Sequence, residues 1–262
     1  MTGEDYLNKF RYRNKIVAFI DVLGFKEAIL EDAPDVRRII ARMDEAFNWS
    51  INQIPLEEGQ WFSIKLFSDC ICFSCDPTPQ NLAKLLLEVS NWHKVFLAYQ
   101  RFLRGAITFG EHFESERIIF SKAMLEAYNL EQKEAKYPRV LVDDSVLAIL
   151  SDADEKDRRK IEGFIKPDSD GKNFVDYLHY IVAEELSPHD KRDFFLSHRN
   201  AVNVQVRKNA ACKSILEKYR WVAQYHNEAR YRILKSSDYS EHEYKQILLE
   251  TEISMDVFPH TA

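Results

Sequence analysis

Apolar positions along the chain fall into three kinds of run. One is continuous: Ile16-Val17-Ala18-Phe19-Ile20 passes directly into Asp21, then Val22-Leu23-Gly24-Phe25. Such a run predicts a strand over 15–22 buried on both faces, with a helix starting at Lys26 to Leu30. Another alternates. Ser63-Ile64-Lys65-Leu66-Phe67 and Cys70-Ile71-Cys72-Phe73-Ser74 flank Ser68-Asp69, which predicts a hairpin over 61–75 with an acid at its tip. The third kind has helical spacing. Ile39, Met43, Phe47 and Ile51 predict an amphipathic helix over 35–54, punctuated by Pro34 and Pro55. Leu82, Leu85, Leu86, Val89, Trp92, His93 and Phe96 predict a second helix over 79–100. Arg101 to Glu111, marked by Gly105 and Gly110, reads as a further strand.

The order strand, helix, strand, strand, helix, strand is the β-α-β-β-α-β arrangement of a ferredoxin-like α+β core. It sets the first and third strands side by side in mid-sheet, so Asp21 and Asp69 are expected to meet. Past the core, Ile118-Ile119-Phe120 precedes a helix over 121–132 capped by Ser121. Tyr137 to Val142 is a strand ending in Asp143-Asp144, and Ser145 to Leu150 starts a short helix. Residues 151–172 are strongly charged and read as a solvated helix and turn. Asn173 to Ile181 looks like one more strand, 189–227 like one long helix, and the tail like a short helix. Residues 1–14 form a polar leader with Tyr6, Phe10 and Tyr12 as anchors. The expected division is a core over 1–150 and, over 151–262, a charged linker, extra strand and helical C-terminal extension packed on that core.

Composition narrows the class. The chain of 262 residues is 45% hydrophobic with seven glycines, enough for a large core and too few glycines for flexible linkers. Its net charge of −6 leaves no general footprint for DNA. The N-terminus has no apolar segment of a signal peptide, and no run approaches the ~20 residues that span a bilayer. A cytoplasmic protein is expected. Cys72 and Cys75 form a Cys-x-x-Cys, but no second pair completes a zinc set. Cys70, Cys72, Cys75 and Cys212 are read as reduced thiols. His93 reads as a packing residue rather than a ligand.

The chemistry sits at the strand ends. A buried acid such as Asp21 is costly unless something positive holds it. Gly24 permits a tight turn, and amides at the helix start suit a phosphate. Asp69 alone reads equally well as a solvated loop residue. Beside Asp21 it completes a pair of hard oxygen ligands for Mg²⁺ or Mn²⁺.

Phe19-Ile20-Asp21-Val22-Leu23-Gly24-Phe25, then Phe67-Ser68-Asp69, then Arg104-Gly105-Ala106-Ile107 with Gly110, resemble the class III nucleotidyl cyclase core. Within it they look most like the bacterial pyrimidine cyclases of the Pycsar antiphage systems. Phe174 to Leu178 and Trp221 to Asn227 resemble their C-terminal pieces. The resemblance implies conversion of UTP, or alternatively CTP, to a 3′,5′-cyclic monophosphate and pyrophosphate. It implies that Asp21 and Asp69, with the Val22 carbonyl, hold two divalent ions, Mn²⁺ or Mg²⁺. It also implies that amides of Gly24, Phe25 and Lys26 cradle the phosphates.

Arg104 and Lys122 are the candidate cations for the α-phosphate. The family's adenine-reading positions fall on Ser63 and near Ile118, where the residues do not suit adenine. Its transition-state pair falls near Leu125 and Asn129. Trp61, Phe62 and Tyr128 are aromatic candidates to fill the room left by a smaller base, although such residues more often serve as ordinary core. A head-to-tail homodimer with shared sites, and a separate effector answering the cyclic nucleotide, are implied as partners. Two other readings compete: a non-catalytic cyclase-fold module that binds a nucleotide, and a palm-type polymerase or cyclic dinucleotide synthase. Absence of a Gly-Gly-Asp hairpin argues against the cyclic dinucleotide synthase.

Overall fold

The computed structural model describes residues 11–30, 36–52, 61–179, 181, 186–235 and 239–258. The anchors Tyr6 and Phe10 and the punctuating Pro34 and Pro55 lie outside them. Strand β1 (Arg13–Val22) pairs antiparallel on both sides, with β3 (Cys70–Cys75) and with β4 (Leu103–Glu114). Ile16 to Ile20 are buried from both faces, so the strand needs its unbroken apolar run. β2 (Phe62–Phe67) completes the hairpin against β3.

Beyond β4 come β6 (Val140–Val142), β8 (Asn173–Val175) and β7 (Ile165–Pro167), giving the order β2-β3-β1-β4-β6-β8-β7. β5 (Ile119–Ser121) pairs with the far end of β4. The fold is mixed α+β on a single sheet, which continues through residue 150 into β7 and β8.

Alternation along β1 divides the two faces. Ile16, Ala18 and Ile20 join the main core with Leu82, Leu85, Trp92 and Phe96 of α3 (Pro79–Leu97). α1 (Phe25–Leu30) and α2 (Val36–Asn52) connect β1 to the hairpin. Val17 and Cys72 face the other way, under Ala123 of α4 (Lys122–Lys133). Both long core helices start where their caps dictate. Thr78 accepts from the Asn81 amide at 3.2 Å and Ser121 from the Met124 amide at 2.9 Å. At Gly105 the strands approach so closely that a Cβ would sit 2.2 Å from the Phe19 carbonyl oxygen, which excludes any side chain there.

Three expectations change in the second half. The strand expected over 173–181 stops at Val175. Asp176 is buried and accepts from Tyr225 at 2.6 Å and from Arg232 at 2.8 Å, which turns the chain out of the sheet. The short helix expected from Ser145 is α5 (Asp144–Leu147), whereas the charged run forms α6 (Glu155–Gly163) and the unexpected strand β7. The single helix expected over 189–227 is two, α7 (Pro188–Lys208) and α8 (Lys213–Lys235). The break follows Asn209, whose side chain donates back to the Gln205 carbonyl at 2.8 Å. α9 (Glu241–Thr251) packs against both and opens with a Ser240–Glu243 capping box.

A buried polar chain ties these helices down. His226 Nε2 lies 2.8 Å from the Thr251 carbonyl oxygen, so that nitrogen donates. His226 Nδ1 must then accept from His198 Nδ1 at 3.0 Å, leaving His198 Nε2 to accept from the Tyr177 hydroxyl at 2.9 Å. His93 stacks on Tyr177 with 4.1 Å between ring centroids. It is fully enclosed and packs rather than ligates.

Burial holds His93 and His226 down to about 3, and His198 far below its usual value. A histidine with a depressed folded pKa contributes stability above its unfolded pKa of about 6.5 and loses it as pH falls. Three such groups give a slope of up to about 4 kcal/mol per pH unit below that point. Urea denaturation from pH 8 to 5 is expected to show this loss. His93→Phe, which keeps the stack, should make the slope about one proton shallower.

Candidate active site

Asp21 is the penultimate residue of β1, opposite Cys70 on one side and Arg104 on the other. The hairpin turns at Ser68, whose φ is +56°, and the Val22 amide donates to the Asp69 carbonyl at 3.0 Å. The tip is thereby fastened to the end of β1. Ligand atoms of Asp21, Asp69 and Cys70 all lie within 4.8 Å of one another. An Arg104 nitrogen is 3.6 Å from Asp21 and also pairs with Glu131, whose side chain is fully buried.

Negative charge is in excess here, with three carboxylates around one guanidinium. Burial first, then the charge of Asp69, raises Asp21 to about 6 against the pull of Arg104. Burial and the two aspartates push the Cys70 thiol up to about 12, so it stays protonated. The available donors are therefore hard carboxylate oxygens in a site short of positive charge. They fit a divalent ion such as Mg²⁺ or Mn²⁺ and do not fit a thiolate-bound metal.

The Cys-x-x-Cys is resolved by alternation. Cys72 is in the small cluster under α4 and Cys75 in the main core, on opposite faces of β3, and burial raises both to about 12. Cys70, Cys72, Cys75 and Cys212 are all free thiols.

Next to the acids, Gly24 adopts φ +75°, and a Cβ there would lie 2.7 Å from an Arg101 nitrogen. That nitrogen donates to the Gly24 carbonyl at 3.0 Å and pins the turn. Val22 and Phe25 are buried, and Lys26 is exposed at the start of α1. Tyr128 of α4 meets Phe19 edge-on at 5.7 Å, and Phe67 lies 6.3 Å from the same ring. This aromatic group stands beside the acid pair.

Two expected site residues are elsewhere in the chain's own fold. Lys122 follows Ser121, which lies opposite His112, itself opposite Arg13. That is eight residues, or about 26 Å, along β1 from Asp21. Lys122 is exposed and pairs with Glu111. Ser63 lies opposite Ser74, which lies opposite Val17, two strands over and about 13 Å along from Asp21. Strand pairing fixes both separations, so neither residue reaches the acid pair within one chain.

Ser63 instead lines a cavity of about 690 Å³ with Arg13, Trp61, Lys65, His112 and Glu114. Burial opposes ionisation of Glu114, but hydrogen bonds from His112, Ser63 and Ser74 hold it down to about 2. Of the other aromatic candidates, Trp61 edges this cavity, while Phe62 points into the main core beside Phe73. Ile118 is exposed.

Glu131 and Arg101 complete the site and were not anticipated. Glu131 lies three residues beyond Tyr128 on the same helical face, and that spacing was the one sequence signal for it.

No protein-family model matches the chain, and no curated protein matches it. Among solved structures it is similar to one titled adenylate/guanylate cyclase/hydrolase from Silicibacter pomeroyi, with 20% identity and a TM-score of 0.39. The likeness covers 55% of this chain and 83% of that one. No described helix is long and apolar enough to cross a membrane.

Because its folded pKa is raised, Asp21 contributes most favourably below its unfolded pKa, near 4, and that contribution is lost as pH rises through about 6. In metal-free buffer at pH 8, Asp21→Asn is therefore expected to raise the melting temperature. The gain corresponds to on the order of 2–3 kcal/mol and should shrink on approach to pH 4. Calorimetry of both proteins with EDTA checks this, and added Mn²⁺ should stabilise the wild type alone.

Proposed function

We propose that the chain is a nucleotide cyclase of the class III type, with a ferredoxin-like core over 1–150. Its proposed reaction makes 3′,5′-cyclic UMP and pyrophosphate from UTP, with cyclic CMP from CTP as the alternative. The observation that carries the reading is the excess of carboxylate at the joined ends of β1 and the β2–β3 hairpin. Asp21 and Asp69 would hold two divalent ions, with the Val22 carbonyl as a further ligand. When bound, the metal neutralises phosphate charge and lowers the pKa of the ribose 3′-hydroxyl.

The chain's own residues do the positioning. The Gly24 turn leaves room for phosphates to approach the amides of Gly24, Phe25 and Lys26. Arg104, held between Asp21 and Glu131, supplies fixed positive charge beside the α-phosphorus. The 3′-oxygen forms the new bond to that phosphorus, the bond to the β-phosphate oxygen breaks, and the hydroxyl proton leaves to solvent. Phe19, Phe67 and Tyr128 limit water on the open side.

A site shared between two chains explains Lys122 and Ser63. In a head-to-tail homodimer the far end of one sheet faces the acid pair of the other. Lys122 would then act across the interface, and Ser63 would line a base pocket with Trp61. Phe67, Leu125 and Tyr128 support this arrangement, as apolar side chains left exposed on the α4 side of the sheet. In the same reading the cyclic product answers phage infection through a separate cyclic-nucleotide-responsive effector in the cytoplasm.

The test is incubation of the pure full chain with each of UTP, CTP, ATP and GTP and Mn²⁺, with products separated by chromatography. Cyclic UMP is expected, at least tenfold above cyclic AMP, and Asp21→Ala or Asp69→Ala should lower it at least a hundredfold. Absence of cyclic product from all four nucleotides overturns the reading, as does full activity in Asp21→Ala.

A further inference from the structure

The helices of the C-terminal segment reach the acid end of the sheet. Tyr219 of α8 packs edge-on to Phe102 at 5.6 Å, and the Phe102 carbonyl accepts from the Leu23 amide at 3.0 Å. Lys218, one residue before, lines an open cleft of about 260 Å³ with Arg104, Lys133, Lys136, Gln132 and Ser214. Arg104 is the shared wall, since the guanidinium that borders this cleft also stands 3.6 Å from Asp21. Four cations line the cleft against one acid, Glu217.

Lys218 is half-buried and makes no hydrogen bond or ion pair among the described residues. Burial and repulsion from Arg104 lower its pKa, and Glu131, Cys212 and Asp21 offset them only in part. A half-buried ammonium without a paired anion is unfavourable. The cleft is smaller than the ~300–1,000 Å³ that encloses a whole drug-sized ligand. It suits a compact, strongly anionic fragment.

We propose that this cleft takes the diphosphate end of a nucleoside triphosphate, or the pyrophosphate after it leaves, and that Lys218 binds it from the C-terminal helices. The inference rests on the nucleotide reading above and gives the helical segment a part in substrate binding. A diphosphate reaching this cleft from the Gly24 turn would meet the same Arg104 that stands 3.6 Å from Asp21.

The experiment is titration calorimetry of the full chain with inorganic pyrophosphate and tripolyphosphate in the presence of Mg²⁺, joined to steady-state kinetics with UTP. Lys218→Met is expected to weaken pyrophosphate binding at least tenfold and to raise KM at least tenfold, with kcat within threefold. Lys218→Arg should recover affinity to within threefold, and the melting temperature of both variants should stay within 2 °C by the usual scale for surface changes. The double variant Lys133→Met/Lys136→Met, which removes two exposed lining cations, should weaken binding by less than half as much as Lys218→Met does. Pyrophosphate that does not bind the wild type, or that binds Lys218→Met equally well, overturns the inference. So does an equal loss in the double variant, which would mean diffuse surface charge. Should Lys218→Met fold poorly, Lys218→Gln compared with Lys218→Arg separates the same outcomes. Pyrophosphate binding that depends on Lys218 in a chain that cyclises no nucleotide upholds this site and defeats only the cyclase reading.

Discussion

Two carboxylates are held against their mutual repulsion at the end of β1, and the rest of the molecule is arranged to make that possible. At an effective dielectric of about 20, two unit charges 4 Å apart repel by about 4 kcal/mol. The local chain would relieve this by opening the hairpin. It is prevented by the Val22 amide bonded to Asp69, by unbroken pairing of β1 on both edges, and by the enclosed run Ile16 to Ile20. Arg104 offsets part of the repulsion, but Glu131 draws on the same guanidinium. Burial first, and then what remains of this repulsion, raises Asp21 to about 6. A carboxylate-rich site of this kind is stabilised by any cation it binds.

Local signals carried the first half of the fold and long-range pairings did not. The continuous run of β1, the alternation of the hairpin and the periodic helices are each set by burial within a few residues, so they are legible without the rest of the chain. The approach of Asp21 to Asp69 was legible for the same reason, because strand order placed two local acids together. Ser63 and Lys122 lie away from those acids within one chain because register decides distance, and register accumulates over eight residues of β1. Glu131 and Arg101 escaped notice since each is defined by a partner far away in sequence, Arg104 for one and Gly24 for the other. The strand expected over 173–181 failed at Asp176, where an acid in an apolar stretch meant a buried hydrogen-bond centre rather than a surface position.

Buried polar groups give the C-terminal helices a fixed seat. The directional chain from Tyr177 through His198 and His226 to the Thr251 carbonyl satisfies each nitrogen in only one tautomeric arrangement. Sliding α7 against α8 by one residue would leave several of these groups unpaired in a dry interior, at a cost of about 1–3 kcal/mol each. Asp176, bonded to Tyr225 and Arg232 of α8 and following β8 directly, carries that fixed position into the sheet. Orientation of α8 is thus specified by hydrogen bonds, while its adhesion comes from the apolar core.

The two faces of the sheet have different tasks. On one, α2, α3 and the C-terminal helices pack on the main core. On the other, α4 covers β4 and part of β1, and leaves the hairpin's Phe67 and its own Leu125 and Tyr128 in contact with solvent. A monomer gains nothing from this asymmetry, since one more helix would bury the same surface. It is useful where something must enter and leave. The acid pair, Arg104 and the aromatic group around Phe19 all lie on the open face or its rim, and the polar cavity around Ser63 and Glu114 lies on it at the other end. One uncovered face thus carries the acid pair at one end and the Ser63–Glu114 cavity at the other, which suits the shared site proposed above.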